Sequence, residues 1–498
     1  MKRKILKGTI ILTIAGLISR CIGFMYKIFL AKSMSAETMG LYQLVFPVYS
    51  VCYTLFASGI QVTVSKMVAE LKESPEKKSL LLKIAGLTSI TIAVILTIFI
   101  SSNSGFVARV FVKEEAVASG LRILSYAFPF CAVTSVINGY FYGMKKSGIP
   151  ASSQIIEQII RVGLVLIVAT VYSDNGVVSC ELAVLGLLAG EVASCLFNVI
   201  SLATEKNQLT LSSPLSGRNM ANRFARMCIP LTLNRFVLSL LHSFETIILP
   251  VLLERSGSSH EEALTTLGIL NGMTIPFLVF PSAITSSISI LLLPTISEAK
   301  CKGKMSTCRQ ATALVLKYSL ILGFICFGIF TISGNRLCTL IFGNATSGKY
   351  LIILSFLCPM MYMSATVPSI LNGLGKPLIT FRNSCIINIV QIILLAVFII
   401  NFEVKGYFIT MFITQFVQLY LDVYSLTREK MFKIDAKNAI IIPGLLVGLL
   451  VPVFSMILKK IAGSFGDIIG ICITVPAFIL FYALLLITVK VIKRSDFT

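Results

Sequence analysis

Charged side chains that interrupt long apolar stretches are the residues of this sequence best suited to chemistry. Arg20 and Lys27 lie seven residues apart, and therefore on one face of a helix. A charge inside a bilayer costs at least about 2.5 kcal/mol on insertion scales, so each one needs a compensating role. The planar guanidinium of Arg20 suits a diphosphate, because it donates two parallel hydrogen bonds. A structural ion pair for Arg20, and extension of the Lys27 side chain to the bilayer surface, are the alternatives.

Glu157 and Arg161 form a second candidate pair, spaced i,i+4 in the order that favours a salt bridge on a helix. The two side chains could neutralise each other and lock one helix. They could instead form a polar patch on the wall of a cavity, with Arg161 shared between Glu157 and an anion. The predicted substrate-binding residues are Arg20, Lys27, Glu157, Arg161 and Arg235.

Arg235, His242 and Glu245 lie along one stripe of a predicted helix, at spacings of seven and three residues. Glu245 near the middle of a span could bind a cation or a proton, and His242 could share that proton because its reference pKa is near neutrality. Two alternatives stay open: His242 as a satisfied core residue, and Glu245 paired with Arg235 two turns away. We predict His242 and Glu245 as ion-coupling candidates.

Prolines mark the predicted bends. Pro47 interrupts the second apolar segment, and Pro276 and Pro281 interrupt the eighth. Proline frees a backbone carbonyl and bends a helix, so bends at these residues would suit rocking motions. Packing kinks without a role in motion are the alternative.

Enzyme chemistry finds no support in the sequence. Gly343 to Lys349 fits G-x-x-x-x-G-K, but Tyr350 replaces the Ser or Thr that would meet magnesium, and no strand precedes it. With 13 Cys, two His and no C-x-x-C pair, neither a zinc site nor a disulfide framework is predicted. We predict no enzyme activity, no cofactor beyond Na⁺ or H⁺ as a coupling ion, and no metal except Na⁺ at Glu245.

The elements that position these residues are membrane-spanning helices. The chain is 56% hydrophobic and 13% charged, far below the roughly 25% charged residues of soluble domains. Its apolar residues fall in blocks of about 20, the length that spans a bilayer as a helix. The predicted fold class is therefore an all-α membrane protein of about fourteen spans: 8–31, 41–65, 80–101, 117–142, 151–173, 180–203, 226–252, 268–293, 310–332, 350–373, 378–400, 405–426, 437–458 and 467–490.

The basic residues predict an orientation. With the N-terminus inside, 28 of the 43 Lys and Arg fall in inner segments, 10 in outer segments and five within helices. This asymmetry follows the positive-inside rule and accounts for the net charge of +21 without nucleic acid. An even number of spans places both termini in the cytoplasm. Arg20 interrupts the first apolar segment and no cleavage site follows, so an uncleaved first helix is expected.

An internal repeat relates the two halves of the chain. Leu44-Val45-Phe46-Pro47 recurs as Leu278-Val279-Phe280-Pro281, and Ser135 to Gly139 recurs as Ser369 to Gly373, both 234 residues later. An even number of helices per repeat gives two parallel halves, an arrangement of alternating-access transporters. The predicted domains are an N-terminal six-helix lobe (1–215), a C-terminal six-helix lobe (216–430) and two additional helices (431–498).

Several motifs together carry a family resemblance. They are Ser19 to Phe24, Gly40 to Tyr42, Phe46 to Tyr49, Ser65 to Glu70, Glu157 to Arg161, and Gly268, Pro276, Pro281 and Leu293 to Ala299. The chain resembles the polysaccharide-transport branch of the multidrug/oligosaccharidyl-lipid/polysaccharide exporter superfamily, and within it the stage V sporulation and lipid II flippase groups. The resemblance implies two six-helix lobes around a cationic cavity, and a groove for a lipid tail beside helices 13 and 14.

The resemblance also assigns roles to residues. Arg20 matches a cavity-facing arginine of the family, whereas Tyr26, beside Lys27, stands where lipid II flippases have a second arginine. Sodium binds between helices 7, 11 and 12 in some relatives, which implies Glu245, Asn383, Asn388 and Thr410 as ligands here.

The function that follows is alternating-access export of an undecaprenyl-diphosphate-linked saccharide, such as the peptidoglycan precursor, in a bacterial plasma membrane. It would serve cell-wall or spore-cortex synthesis, with membrane lipids and cell-wall enzymes as partners. The alternatives are a cation-coupled drug antiporter of the same superfamily, which would want more carboxylates in its cavity, and a scaffold of a cell-wall complex that transports nothing.

Overall fold

The computed structural model describes residues 2–71, 74–172, 177–205, 217–301, 304–432 and 435–492. Within these ranges the chain consists of helices and the turns between them, with no strand. It divides into two compact units, residues 1–268 and 269–498. The prediction of an all-α membrane fold is confirmed.

The first unit contains eleven α-helices in its described residues. They are α1 (Lys2–Ser33), α2 (Ala36–Tyr53), α3 (Gly59–Glu70), α4 (Pro75–Ser102), α5 (Ser104–Val107), α6 (Ala118–Ser125), α7 (Phe128–Gly143), α8 (Gly148–Tyr172), α9 (Cys180–Glu205), α10 (Gly217–Arg255) and α11 (His260–Leu267). A π-helical segment, Thr54–Ser58, joins α2 to α3. A second π-helical segment, Ala108–Val112, and a short 3₁₀ helix, Glu115–Val117, lie between α5 and α6.

Local sequence explains where several of these helices begin. The Ser35 side chain accepts a hydrogen bond from the Thr38 amide at 3.0 Å and caps α2. Pro75 occupies the first turn of α4, where its missing N–H costs nothing. Ser259 and Glu262 form a reciprocal capping box at α11.

The second unit continues from the π-helical segment Gly268–Thr274. Its helices are α12 (Ile275–Val279), α13 (Ser282–Cys301), α14 (Met305–Phe342), α15 (Ala345–Ser355), α16 (Cys358–Ser364), α17 (Val367–Gly373), α18 (Pro377–Arg428), α19 (Ile442–Phe465) and α20 (Asp467–Thr488), with a π-helical segment, Lys437–Ile441, before α19.

One sharply bent pair of helices occurs in each unit. The segments 115–125 and 128–143 meet at 49°, and 345–355 and 358–373 meet at 68°. Pro129 and Pro359 lie in the first turn of the second helix of each pair, where proline tolerates helix entry but cannot continue a preceding helix. The two bends are 230 residues apart, close to the offset of the sequence repeat. This shared feature supports the predicted repeat.

Helix α18 is a helical hairpin. Its 52 residues would extend about 78 Å as one straight helix, against about 30 Å of hydrocarbon. Glu403 breaks it with φ 51° and ψ −134°. Asn383 Nδ2 donates to Ser425 Oγ at 2.9 Å, so residues 42 positions apart lie side by side. The halves match the predicted spans 378–400 and 405–426.

The number of spans stays a prediction. Eleven helices among the described residues are long and apolar enough to cross a membrane, or thirteen if each bent pair is one span. In that count α18 is a single helix, although its two halves are antiparallel.

Helices α19 and α20 pack on α14 through an apolar cluster. Phe454 of α19 and Phe478 of α20 are in edge-to-face contact, and Phe478 also lies against Gly328 of α14, where a Cβ would be 2.3 Å from its ring. Large apolar residues on the other faces stay exposed, such as Leu449 at 70% and Met456 at 73%. Exposed faces of this kind require lipid as their solvent.

The predicted domain limits stay a prediction, and the two compact units are divided between residues 268 and 269. Helices α10 and α11 pack against α2, so the first unit extends to residue 268. The predicted boundary between residues 215 and 216 lies outside the described residues. So do the side chains of Lys2 to Lys7 and of Leu293 to Thr295 in the predicted signature.

Candidate functional site

The π-helical turn Thr54–Ser58 is a junction of the first unit. It winds more loosely than an α-helix, which displaces its carbonyl groups from their usual partners. Three successive carbonyls accept hydrogen bonds from side chains of other helices: Phe56 O from Ser89 Oγ at 2.5 Å, Ala57 O from Ser135 Oγ at 2.8 Å, and Ser58 O from Arg235 Nη1 at 3.2 Å. Helices α4, α7 and α10 therefore converge on one irregular turn.

A row of polar side chains on α10 faces α2 and this turn. Its members are four residues apart, and each bonds a different residue of the second predicted span. Arg235 donates to the Ser58 hydroxyl. Ser239 Oγ lies 2.7 Å from Ser50 Oγ, and Ser243 Oγ donates to Pro47 O at 3.0 Å. Because Arg235 makes these bonds, it does not form the predicted alternative pair with Glu245.

Pro47 does not break its helix. Helix α2 runs through Pro47 without interruption, and the irregularity comes seven residues later in the π-helical turn. A bend of the continuous helix at Pro47 stays a prediction, and the carbonyl oxygen of Pro47 accepts a hydrogen bond from Ser243 Oγ. Pro276 lies in the first turn of α12 and Pro281 in the turn between α12 and α13, so the eighth predicted span is indeed interrupted.

Half-buried and buried charges meet where α8 and α9 touch. Arg161 Nη2 donates to Glu157 Oε1 at 2.5 Å, and the two side chains are only 16% and 18% exposed. Glu191 of α9 is 7% exposed and accepts a hydrogen bond from the Tyr49 hydroxyl at 3.0 Å. The predicted pair therefore forms, and a second carboxylate lies beside it.

Glycines make this approach of α8 and α9 possible. A Cβ on Gly190 would lie 2.7 Å from Glu157 O, and one on Gly186 would lie 3.0 Å from Arg161 O. Both glycines are needed because the backbone of α8 occupies the space a side chain would fill. Tyr26 of α1 completes the cluster. It is 4% exposed, and its hydroxyl would lie 3.6 Å from a Cβ on Gly186.

Arg20 and Lys27 of α1 differ from Arg161 in their exposure and in their ion pairing. Arg20 is exposed and Lys27 half-buried, and neither forms an ion pair within the described part of the chain. Both lie in α1, within the candidate membrane span Ile14–Ser33. An exposed guanidinium at this depth must meet water or an anionic group, since hydrocarbon solvates neither.

The ion-coupling candidates fall into separate places. His242 Nδ1 lies 3.3 Å from Glu245 Oε2, with His242 74% and Glu245 15% exposed. In the hairpin α18, Asn383 donates to Ser425 Oγ and its own oxygen accepts from Arg382 Nη2 at 3.0 Å. Thr410 is fully buried.

Asn383 and Thr410 do not share a site. Asn383 is level with Leu421 and Ser425, which are 11 and 15 residues beyond Thr410. At 1.5 Å per residue, the nearer of these is about 16 Å from Thr410 along the helix. These two residues therefore cannot hold one ion together. Asn388 is half-buried in the first half of the hairpin.

Two buried carboxylates were missed by the sequence reasoning. Glu191 lies in α9, and Asp422 in α18 is 2% exposed and accepts a hydrogen bond from Gln418 Nε2 at 2.9 Å. Both are acidic residues within predicted apolar spans, so the signal that identified Glu157 was available for them. Among the described residues no group of three or more His, Cys, Asp or Glu side chains could hold a metal ion.

Comparison with known proteins agrees with this architecture. The family model described as "Polysaccharide biosynthesis protein" matches residues 5–300. The chain is 26% identical over 393 residues to "Stage V sporulation protein B" of Bacillus subtilis (strain 168), covering 77% of this chain and 76% of that protein. It is 22% identical over 341 residues to "Lipid II flippase MurJ" of the same organism, covering 62% and 61%.

A solved structure shows the same fold. "Lipid II flippase MurJ, inward closed conformation" superposes with a TM-score of 0.74 at 14% identity, covering 97% of this chain and 100% of that chain. The family model spans more than half of the sequence, including the Arg20, Glu157, Arg161 and Arg235 positions. This protein belongs to the polysaccharide biosynthesis protein family.

Proposed function

We propose that this protein is a flippase that moves an undecaprenyl-diphosphate-linked saccharide of the lipid II class across the bacterial plasma membrane. The relatives named above are a flippase and a sporulation protein, which supports a transporter rather than an enzyme. The product would serve cell-wall or spore-cortex synthesis.

The observation that carries the proposal is the pair of basic residues in α1 without a carboxylate partner. Arg20 and Lys27 lie within an apolar span, and neither is neutralised by a described carboxylate. A diphosphate headgroup offers two charges in the geometry that a guanidinium recognises. Arg161 and Arg235 are already engaged by protein groups, so they contribute to binding through the site's shape and field.

A close contact in the first unit supports alternating access. A Cβ on Gly40 would lie 2.1 Å from Leu264 O, and one on Gly268 would lie 2.0 Å from Ala36 O. Nearby, His260 contacts Glu114 at 2.9 Å and Glu254 at 2.6 Å. These contacts lie on the predicted outer side, where they would close the path while the headgroup is loaded from inside.

Coupling to an ion belongs to the same proposal. Glu245 and His242 lie together on α10, three residues from the Ser239 contact to α2. Binding of H⁺ or Na⁺ at Glu245 would change the charge of a helix that packs directly on α2. A charge that crosses the membrane potential gains or loses about 2.3 kcal/mol per 100 mV, which could drive net transport.

The test uses purified protein in vesicles that carry fluorophore-labelled lipid II in both leaflets. A membrane-impermeant reductant bleaches only outer-leaflet lipid, so a flippase raises the bleached fraction. We expect movement with the wild type, its loss with Arg20→Ala, and partial retention with Arg20→Lys. Arg255→Ala is the matched control, because Arg255 is exposed at the end of α10 and outside the proposed site.

Each alternative predicts its own result. Full activity of Arg20→Ala would end the role assigned to α1. Movement of an undecaprenyl-diphosphate monosaccharide but not of lipid II would replace the saccharide in the proposal. Uptake of an organic cation such as ethidium against a proton gradient, without movement of either lipid, would favour the drug antiporter.

A further inference from the structure

The buried cluster in the first unit contains one more negative charge than positive. Glu157 and Glu191 supply two carboxylates, and Arg161 supplies one guanidinium. No basic side chain in the described part of the chain lies within ion-pair distance of Glu191. An uncompensated carboxylate in such a place costs several kcal/mol, so the cluster favours a state with one more positive charge.

The two carboxylates share one electrostatic environment. Glu191 follows Gly190, whose missing side chain would lie 3.4 Å from Glu157 Cγ. Glu191 and the Glu157–Arg161 pair therefore lie on the facing sides of α9 and α8. When like charges share a buried site, the site as a whole gains from binding a proton at either one.

Unpartnered polar groups point to a ligand at the same place. The Tyr26 hydroxyl is buried, with 4% of the residue exposed, and has no hydrogen-bond partner. The Arg161 Nε–H is also buried without a partner. Buried polar groups rarely lack a hydrogen-bond partner, so these two groups mark a place where a partner is missing.

We propose that Glu157 and Glu191 share a single exchangeable proton, making the α8–α9 contact a proton-binding site of this protein. Binding adds H⁺ to one carboxylate and leaves the other paired with Arg161, so the cluster becomes neutral. Release leaves one carboxylate in excess. The proposal concerns proton binding alone and holds whichever substrate the protein carries.

The choice of a proton over a metal cation follows from the neighbours. The titratable groups that face the cluster come from every packed helix: Tyr26 of α1, Tyr42, Tyr49 and Tyr53 of α2, Cys131 of α7, and Glu157, Arg161 and Glu191 themselves. Arg161 already pairs with Glu157, which leaves the Glu191 carboxylate beside hydroxyl and thiol groups, and this is not the set of several oxygen ligands that a metal cation needs. A proton requires no coordination shell.

The experiment measures the proton directly, on the purified full-length protein without substrate. Infrared difference spectra between low and high pH report the C=O stretch of protonated carboxyl groups. We expect a wild-type band that is lost in both Glu157→Gln and Glu191→Gln, because either variant leaves one carboxylate for Arg161. Glu76→Gln, an exposed residue in the first turn of α4, should keep the band. Asp422→Asn identifies any contribution of the other buried carboxyl.

Melting temperatures of the single and double variants show whether each variant folds. At alkaline pH we expect each single variant to melt at or above the wild-type temperature, because the excess charge is gone. The double variant Glu157→Gln/Glu191→Gln should melt several degrees lower, because Arg161 then has no anion.

Three outcomes would overturn the proposal. The first is a wild-type band that survives both single substitutions. The second is equal destabilisation by each single variant at every pH, which indicates two independent structural carboxylates. The third is loss of the band on adding Na⁺ at fixed pH and ionic strength, which makes the site a sodium site.

Discussion

Partnered and unpartnered charges inside the spans have different tasks in this protein. Arg161 bonds a carboxylate of its own helix and Arg235 bonds the Ser58 carbonyl of the second predicted span, whereas Arg20 and Lys27 meet no described carboxylate. Substitution in the first set should therefore change the stability of the fold. Substitution in the second set should change only what the protein binds.

Arg161→Ala is predicted to destabilise the protein strongly, whereas Arg20→Ala is not. Without Arg161, Glu157 and Glu191 stay buried with no cation, and breaking a buried pair typically costs about 3–5 kcal/mol. Thermal melting followed by size-exclusion chromatography in detergent measures both variants. Adding Glu157→Gln to Arg161→Ala should recover part of the loss. Equal melting temperatures for Arg161→Ala and the wild type would show that the pair contributes nothing.

At the scale of elements, close packing rather than charge decides how α2 meets α11. Gly40 and Gly268 have no side chain because a neighbouring carbonyl occupies each Cβ position. The π-helical turn Thr54–Ser58 then lets the rest of the span bond three other helices. One element thus combines a tight contact with a loosely wound turn.

Gly40→Leu is predicted to lower the melting temperature by several degrees and to abolish lipid movement, because the side chain would separate α2 from α11. Gly86→Leu is the matched control, since no atom lies within 4 Å of a Cβ at Gly86 on α4. The vesicle assay and thermal melting measure both variants. A Gly40→Leu protein that melts and transports like the Gly86→Leu control would exclude a closing role for this contact.

The sequence predicted helices better than it predicted their irregularities. The predicted gap between residues 400 and 405 contains Glu403, where α18 turns, because Glu and Lys interrupt an apolar run there. The bends beside Pro129 and Pro359 were equally visible but not predicted. The π-helical turn carries no sequence signature, since it arises from hydrogen bonds with Ser89, Ser135 and Arg235 that exist only after packing.

In the candidate site, the sequence predicted a contact within one helix but not the contacts between helices. Spacing along one helix predicted the Glu157–Arg161 pair correctly. It could not show that Glu191 joins the pair from α9, or that Arg235 bonds Ser58 instead of Glu245, because both depend on contacts between helices. The proposed sodium ligands Asn383 and Thr410 failed as one set for the opposite reason, since the hairpin separates them along its axis.

At the scale of the whole molecule, orientation is the property that the charges set. The inner segments of the predicted topology hold 28 of 43 basic residues, and an even number of spans returns the chain to its starting side. An odd number, such as the eleven or thirteen helices that satisfy length and hydropathy alone, would place the ends on opposite sides.

Reporter fusions are predicted to locate both termini of the chain in the cytoplasm. A green fluorescent protein at either end should fluoresce, and an alkaline phosphatase at the C-terminus should be inactive, because it folds only outside the cytoplasm. The same phosphatase placed after Glu403 should be active, since this turn is predicted to face outward. Active phosphatase at the C-terminus would require an odd number of spans.

The hairpin at Glu403 also constrains how the chain is made. Its two halves are joined by a single non-helical residue, and Gly406 lies so close to Phe398 that a Cβ there would be 2.1 Å from its carbonyl oxygen. With no loop between them, we expect the two halves to enter the bilayer as one helical hairpin of 52 residues.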